Sequence, residues 1–138
     1  MRIVHPNLAY VKHTLIVDDS TLIRRSLRVL LEECPDWVVC GEAENGSDGI
    51  EKAQQLHPDL IVMDLVMPVL NGIEATRLLK RLLPTTPIVM FTTFADPHIK
   101  KTALTAGVHA VIDKSESATL IGSIQQLLVS GLPPPYAA

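Results

Sequence analysis

Nowhere is this chain apolar for the roughly 18 residues that a membrane span needs, so no membrane-embedded function is expected. Its opening, MRIVHPNLAYVKH, has no continuous apolar core and no small-residue cleavage site, so no secretory signal is expected either. Cys34 and Cys40 do not form a CxxC pair and have no histidine pair near them. They read as reduced, partly buried thiols of a cytoplasmic protein. His5, His13, His57, His98 and His109 fall at no metal-ligand spacing and read as surface or loop-edge residues. The net charge of -3 gives no electrostatic footprint for nucleic acid.

The 138 residues suffice for one domain and one core, and the 47% apolar content can fill it. Apolar runs alternate with helical stretches. HTLIV, WVVCGEA, PDLIVMD, PIVMFTT and VHAVIDK read as five strands. STLIRRSLRVLLEEC, NGSDGIEKAQQL, GIEATRLLKRLL, DPHIKKTALTAG and SATLIGSIQQLLVSG read as the helices after them. The first carries Leu22, Ile23, Leu27, Leu30 and Leu31 at helical spacing, and the second sets Ile50, Ala53 and Leu56 on one face. The fourth is weaker in apolar pattern. The fifth turns Leu120, Ile121, Ile124, Leu127 and Leu128 to the core, with Gly131 as its C-cap. Apolar strands without polar alternation imply a parallel sheet covered on both faces. With right-handed crossovers this is a doubly wound α/β fold in the flavodoxin-like order 2-1-3-4-5. The domain is expected over 13–131, after an extension at 1–12 and before a tail or linker start at 132–138, where LPPPYAA cannot be helix.

In such a sheet, ligands bind at the carboxyl ends of the strands. The first strand ends in Asp18 and Asp19, the third in Asp64, the fourth in Thr92 and Thr93, and the fifth in Asp113 and Lys114. Carboxylates from separate strands would converge there beside a hydroxyl and an ammonium. Close acids repel and raise one another's pKa. A hard divalent cation such as Mg²⁺, which takes oxygen ligands and is commonly shared with phosphate, relieves this. Asp64, set in the apolar run LIVMDLVMPVLNG, then makes sense as a positioned nucleophile towards phosphorus. Lys114 would pair with it, and Thr92 would hydrogen-bond a phosphoryl oxygen. The competing reading of Asp18 or Asp19 is a helix N-cap, for which Ser20 is the rival.

LIVDDS, LIVMDLVMPVLNG, IVMFTT and AVIDKS resemble the receiver domain of two-component response regulators, in order and across the chain from about His13 to Gly131. The resemblance implies that a sensor histidine kinase or phosphotransfer protein donates a phosphoryl group to Asp64. It implies Mg²⁺ held by Asp19 and Asp64, by Asp18 through water, and by the backbone carbonyl of Val66. Thr92 and Lys114 would then move towards the phosphoryl group and shift the face of helix 4, strand 5 and helix 5, which is also the expected homodimer face. LNGIEATRLLK and SESATLIGSIQQLL look most like receivers that precede a helix-turn-helix domain, so DNA would be met only through an effector domain outside this chain. Such a receiver is no turnover enzyme; it phosphorylates and dephosphorylates itself.

The sequence departs from the family pattern at several places. Val111 stands where an aromatic switch residue is common, which points to a modified switch. Lys114 is followed by Ser115 where many relatives have proline, and a trans bond is expected. Val66 and Phe94 are apolar where polar groups often align a hydrolytic water, so a long-lived aspartyl phosphate is expected. A pseudo-receiver that binds partners without phosphorylation stays open. An aspartate-nucleophile phosphatase is disfavoured, since Asp18-Asp19 lacks its DxD spacer. A flavodoxin would need a phosphate loop where VDDSTLIRR has acids. Arg24, Arg25 and Arg28 read as a solvated helix face, with kinase docking as the alternative. Met63, Met67 and Phe91 read as core.

Overall fold

Strands that are apolar on both faces must be covered on both faces. In the computed structural model, which describes residues 11–129 and the side chains of 11–127, five parallel strands meet that demand. They are β1 (Lys12–Val17), β2 (Trp37–Ala43), β3 (Leu60–Met63), β4 (Ile88–Thr92) and β5 (Ala110–Asp113). The sheet order is β2-β1-β3-β4-β5, the flavodoxin-like order. β1 pairs with β3 in unbroken register, Thr14 to Leu60 through Val17 to Met63. Against β2 its register shifts between Thr14 and Leu15.

The helices are α1 (Thr21–Glu32), α2 (Gly46–Leu56), α3 (Gly72–Leu82), α4 (Pro97–Ala106) and α5 (Ser117–Val129). Four of them start on a short polar side chain that accepts from the N–H three residues on, satisfying an otherwise orphaned donor. These caps are Ser20, Asn45, Asn71 and Asp96. Asn71 and Glu74 complete a reciprocal capping box. Because Ser20 caps α1, neither Asp18 nor Asp19 is used for capping.

Strand alternation sends Leu15, Val17, Ile61, Met63, Ile88 and Met90 to one face, against Ala53 of α2, Ile73, Ala75 and Leu79 of α3, and Ala103 of α4. Ile16, Leu60, Val62, Val89 and Phe91 take the other face, with Leu27 and Leu31 of α1 and Leu120 and Ile124 of α5. Ile121 and Leu127 pack against this second layer, and Met67 is buried in the first. The expectations for Leu128 and Gly131, for the tail and for most of the N-terminal extension fall outside the described residues and side chains.

Two apolar positions differ from the reading of the sequence. Leu22 is 69% exposed, because the buried stripe of α1 runs through Arg24, Leu27 and Leu31 instead. Leu56 stays 41% exposed while leaning over Gly41, since β2 is an edge strand and little covers it from beyond. Every described peptide bond is trans, including Lys114–Ser115. Cys34 and Cys40 are free and half-buried. His109 is half-buried rather than a surface residue, with Nδ1 enclosed and unpartnered.

Candidate functional site

β1 and β3 are neighbours, and their last paired residues are Val17 and Met63. The next residue on each strand is an aspartate. The backbone N–H of Asp64 donates to the Val17 carbonyl (2.8 Å), and that of Asp18 to the Ala43 carbonyl of β2 (3.0 Å). Both acids therefore stand on the hydrogen-bonded sheet rather than on a loose loop. Asp19 follows directly. One carboxylate oxygen from each of Asp18, Asp19 and Asp64 lies within 4.8 Å of the others. The donor set is all oxygen and compact, which fits a hard divalent cation such as Mg²⁺.

Lys114 reaches this cluster from the far side of the sheet. It follows β5 at the start of a short 3₁₀ turn (Lys114–Glu116). Its Nζ lies 2.9 Å from Asp18 Oδ2 and 3.3 Å from Asp64 Oδ1. Asp18 Oδ1 accepts from the Ser20 N–H, and Asp64 Oδ1 from the Leu65 N–H. Asp18 and Asp64 are both buried. Burial, and then the neighbouring Asp18 charge, push the Asp64 carboxyl up to about 6, against the opposing pull of Lys114. Burial would lower the Lys114 ammonium, but its hydrogen bond to Asp18 and the two acidic charges hold it above its usual value.

The other residues singled out in the sequence lie around this pocket. Thr92 closes β4, fully buried, and its hydroxyl accepts from the Phe94 N–H (3.1 Å). That bond uses an oxygen lone pair and leaves the hydroxyl proton available. In the loop after Asp64, the Leu65 carbonyl accepts from Gly72 and the Pro68 carbonyl from Leu70. The Val66 carbonyl accepts no hydrogen bond among the described residues, so it stays available as a ligand oxygen. Phe94 is 54% exposed, which makes it a poor seal against water. Val111 is half-buried against the core layer of α3 and α4. Asp113 does not join the acids. Its Oδ1 caps the 3₁₀ turn, accepting from the N–H and hydroxyl of Ser115. Those two bonds hold its carboxyl below the usual value.

One residue the sequence reading put on a solvated face belongs here. Arg24 is 9% exposed, and each of its three guanidinium nitrogens donates a hydrogen bond within the protein. Nη1 donates to the Asp18 carbonyl (2.8 Å), Nε to Glu42 Oε1 (2.9 Å) and Nη2 to the Thr21 hydroxyl (3.2 Å). Arg28 grips the other oxygen of Glu42 through Nε and Nη2, while Arg25 is exposed. Burial works against the Glu42 charge, but the two guanidinium groups hold its carboxyl below the usual value. The signal in the sequence was spacing: Arg24, Leu27 and Leu31 fall on one helical stripe.

Similarity over most of its length places the chain among known proteins. The model of the response regulator receiver domain matches residues 14–125. Transcriptional regulatory protein LnrK of Bacillus subtilis is 37% identical over 90% of this chain and 58% of its own length. A protein-glutamate methylesterase/protein-glutamine glutaminase of Methanosarcina mazei is 39% identical over 84% of this chain but 33% of its own length. Among solved structures, the response regulator domain of Thermotoga maritima CheB superposes with a TM-score of 0.80 at 34% identity, covering 84% of this chain and 95% of that one. The chain thus spans a third to just over half of these curated relatives, which carry different outputs. The residues matched by the family model take in Asp18, Asp19, Asp64 and Lys114, and the chain belongs to the response regulator receiver domain family.

Proposed function

We propose that this receiver accepts a phosphoryl group on Asp64 from the phosphohistidine of a sensor histidine kinase or phosphotransfer protein. The observation that carries the reading is Lys114 lying between Asp18 and Asp64, two buried acids at the ends of neighbouring strands. Asp64 Oδ1 is engaged by Lys114 and the Leu65 N–H, so Oδ2 is the oxygen free to attack. The O–P bond forms as the P–N bond of the donor breaks, and the imidazole leaves with the electron pair. Lys114 then balances charge on the new phosphoryl oxygens, and the Thr92 hydroxyl donates its proton to one of them. Mg²⁺, held by Asp18, Asp19, Asp64 and the Val66 carbonyl, would neutralise phosphoryl charge.

The exposed rim supports a protein donor. Leu22 in the first turn of α1, Val66 and Val69 in the loop after β3, and Phe94 in the loop after β4 all present apolar surface to solvent. The output is carried by the face of α4, β5 and α5, through homodimerisation or a change of partner, with DNA met by a separate effector domain. The setting is cytoplasmic, and none of the described helices is long and apolar enough to cross a membrane. With Val66 and Phe94 apolar and exposed, neither side chain can align a hydrolytic water, so the phosphoryl group is long-lived.

The test is intact-protein mass after incubation with acetyl phosphate and Mg²⁺, for the wild type and Asp64→Asn. One phosphoryl group on the wild type alone is expected. No addition to a folded, Mg²⁺-bound wild type would turn the reading to a phosphorylation-independent pseudo-receiver.

A further inference from the structure

We propose that Arg24 is a positioning residue for the acid pocket: by holding the Asp18 carbonyl it fixes the Asp18–Asp19 peptide plane, and so the direction from which Asp19 offers its carboxylate to a divalent cation. This inference rests on reading the pocket as a Mg²⁺-dependent phosphoacceptor site.

The argument starts from where Arg24 sits. It takes a core-facing position of α1, one turn before Leu27, where an aliphatic side chain would pack without desolvating a charge. Its three nitrogens point in three directions and each finds an acceptor. A lysine has one donor centre and could not do this. Glu42 anchors the guanidinium to β2 and is itself gripped by Arg28. Arg24 is thus a braced strut and not a loose surface cation.

What the strut supports is specific. Asp18 is held at its N–H by Ala43, at Oδ1 by Ser20 and at Oδ2 by Lys114. Its carbonyl is the remaining group, and Arg24 takes it. Asp19 is exposed, and its side chain makes no hydrogen bond or ion pair among the described residues. The main chain alone aims it, through the peptide plane that Arg24 pins.

Charge and geometry predict opposite signs. If Arg24 acted by charge alone, removing it would tighten cation binding, because a guanidinium repels Mg²⁺. If it acts by position, removing it loosens binding. Groups that orient metal ligands typically change affinity 10–100-fold when removed.

The experiment is calorimetric titration of MgCl₂ into the wild type, Arg24→Met, Arg24→Lys and Glu42→Gln, with Tm measured with and without Mg²⁺. Arg24→Met is expected to weaken Mg²⁺ binding about tenfold or more and to shrink the rise in Tm that Mg²⁺ produces. Arg24→Lys should recover part of the loss, and Glu42→Gln should show a smaller one. Wild-type affinity or tighter in folded Arg24→Met overturns the inference, as does a lowered Tm with an undiminished Mg²⁺ response. Should Arg24→Met not fold, unchanged Mg²⁺ affinity in both Arg24→Lys and Glu42→Gln overturns it. A wild type that takes no Mg²⁺ overturns the phosphoacceptor reading itself, a different result from any of these.

Discussion

The ammonium of Lys114 lies 2.9 Å from Asp18 Oδ2, across the two intervening strands β3 and β4. Without a metal, Lys114 is the cation that keeps Asp18 and Asp64 from facing each other unscreened. Lys114→Met therefore costs about 3 kcal/mol in EDTA, the order expected when one partner of a buried pair is removed. Mg²⁺ restores most of this by taking over the screening. Urea denaturation with and without Mg²⁺ measures both values. Equal losses in the two conditions would show that Lys114 stabilises by packing alone.

Asp64→Asn stabilises the metal-free domain at neutral pH. The folded-state pKa of about 6 lies above the ordinary 3.8, so folding favours the protonated acid. The cost of the charge is absent below 3.8, grows between 3.8 and 6, and is fully present above 6. The gain from Asn at pH 7.5 is on the order of 1–3 kcal/mol and fades as pH falls through that window. Urea unfolding in EDTA across pH 3.5–8 follows it. A gain that grew towards low pH would have the wrong sign.

Gly72→Ala strikes Asp64 from behind. A Cβ at Gly72 would run into the carbonyl oxygen of Asp64, and would meet Leu65 Cα at 3.1 Å. These are backbone atoms next to the sheet, so the strand end must shift. The expected loss is about 2 kcal/mol or more, read by thermal denaturation. Phosphoryl uptake from acetyl phosphate should fall with it, since the displaced atoms carry Asp64.

Val69→Asn should raise stability by about 0.5–1 kcal/mol. Val69 has φ 71°, a left-handed conformation in which a β-branched side chain is strained and asparagine is tolerated. It is 79% exposed, so little packing is lost. A lower Tm in Val69→Asn would mean that its surface contacts outweigh the strain.

Much of this molecule could be read from its residues. LIVM and IVMFT have no polar alternation because helices cover both sides of β3 and β4. Ser20, Asn45, Asn71 and Asp96 mark helix starts because each offers an oxygen at the right spacing. The cluster of Asp18, Asp19, Asp64 and Lys114 follows from strand-end position alone once the sheet order is known. Arg24 was not legible in the same way. Its partner is a backbone carbonyl, which no side-chain pattern reveals, and it meets Glu42 only after α1 packs on β2. Asp113 was misjudged for a related reason. Strand-end position says which edge an acid reaches, but the turn after β5 gives this one a nearer partner in Ser115. Nothing in Pro68-Val69-Leu70 announces a left-handed valine, since sterics argue against it.

The sheet order has a consequence for how far a disturbance at the acids can travel. From the neighbouring ends of β1 and β3 the chain departs in opposite directions, to α1 on one layer and to α3 on the other. The seam where the acids lie is thus the place from which the chain enters two cores on opposite faces of the sheet. A charge added or removed there stands where the connections to both layers begin.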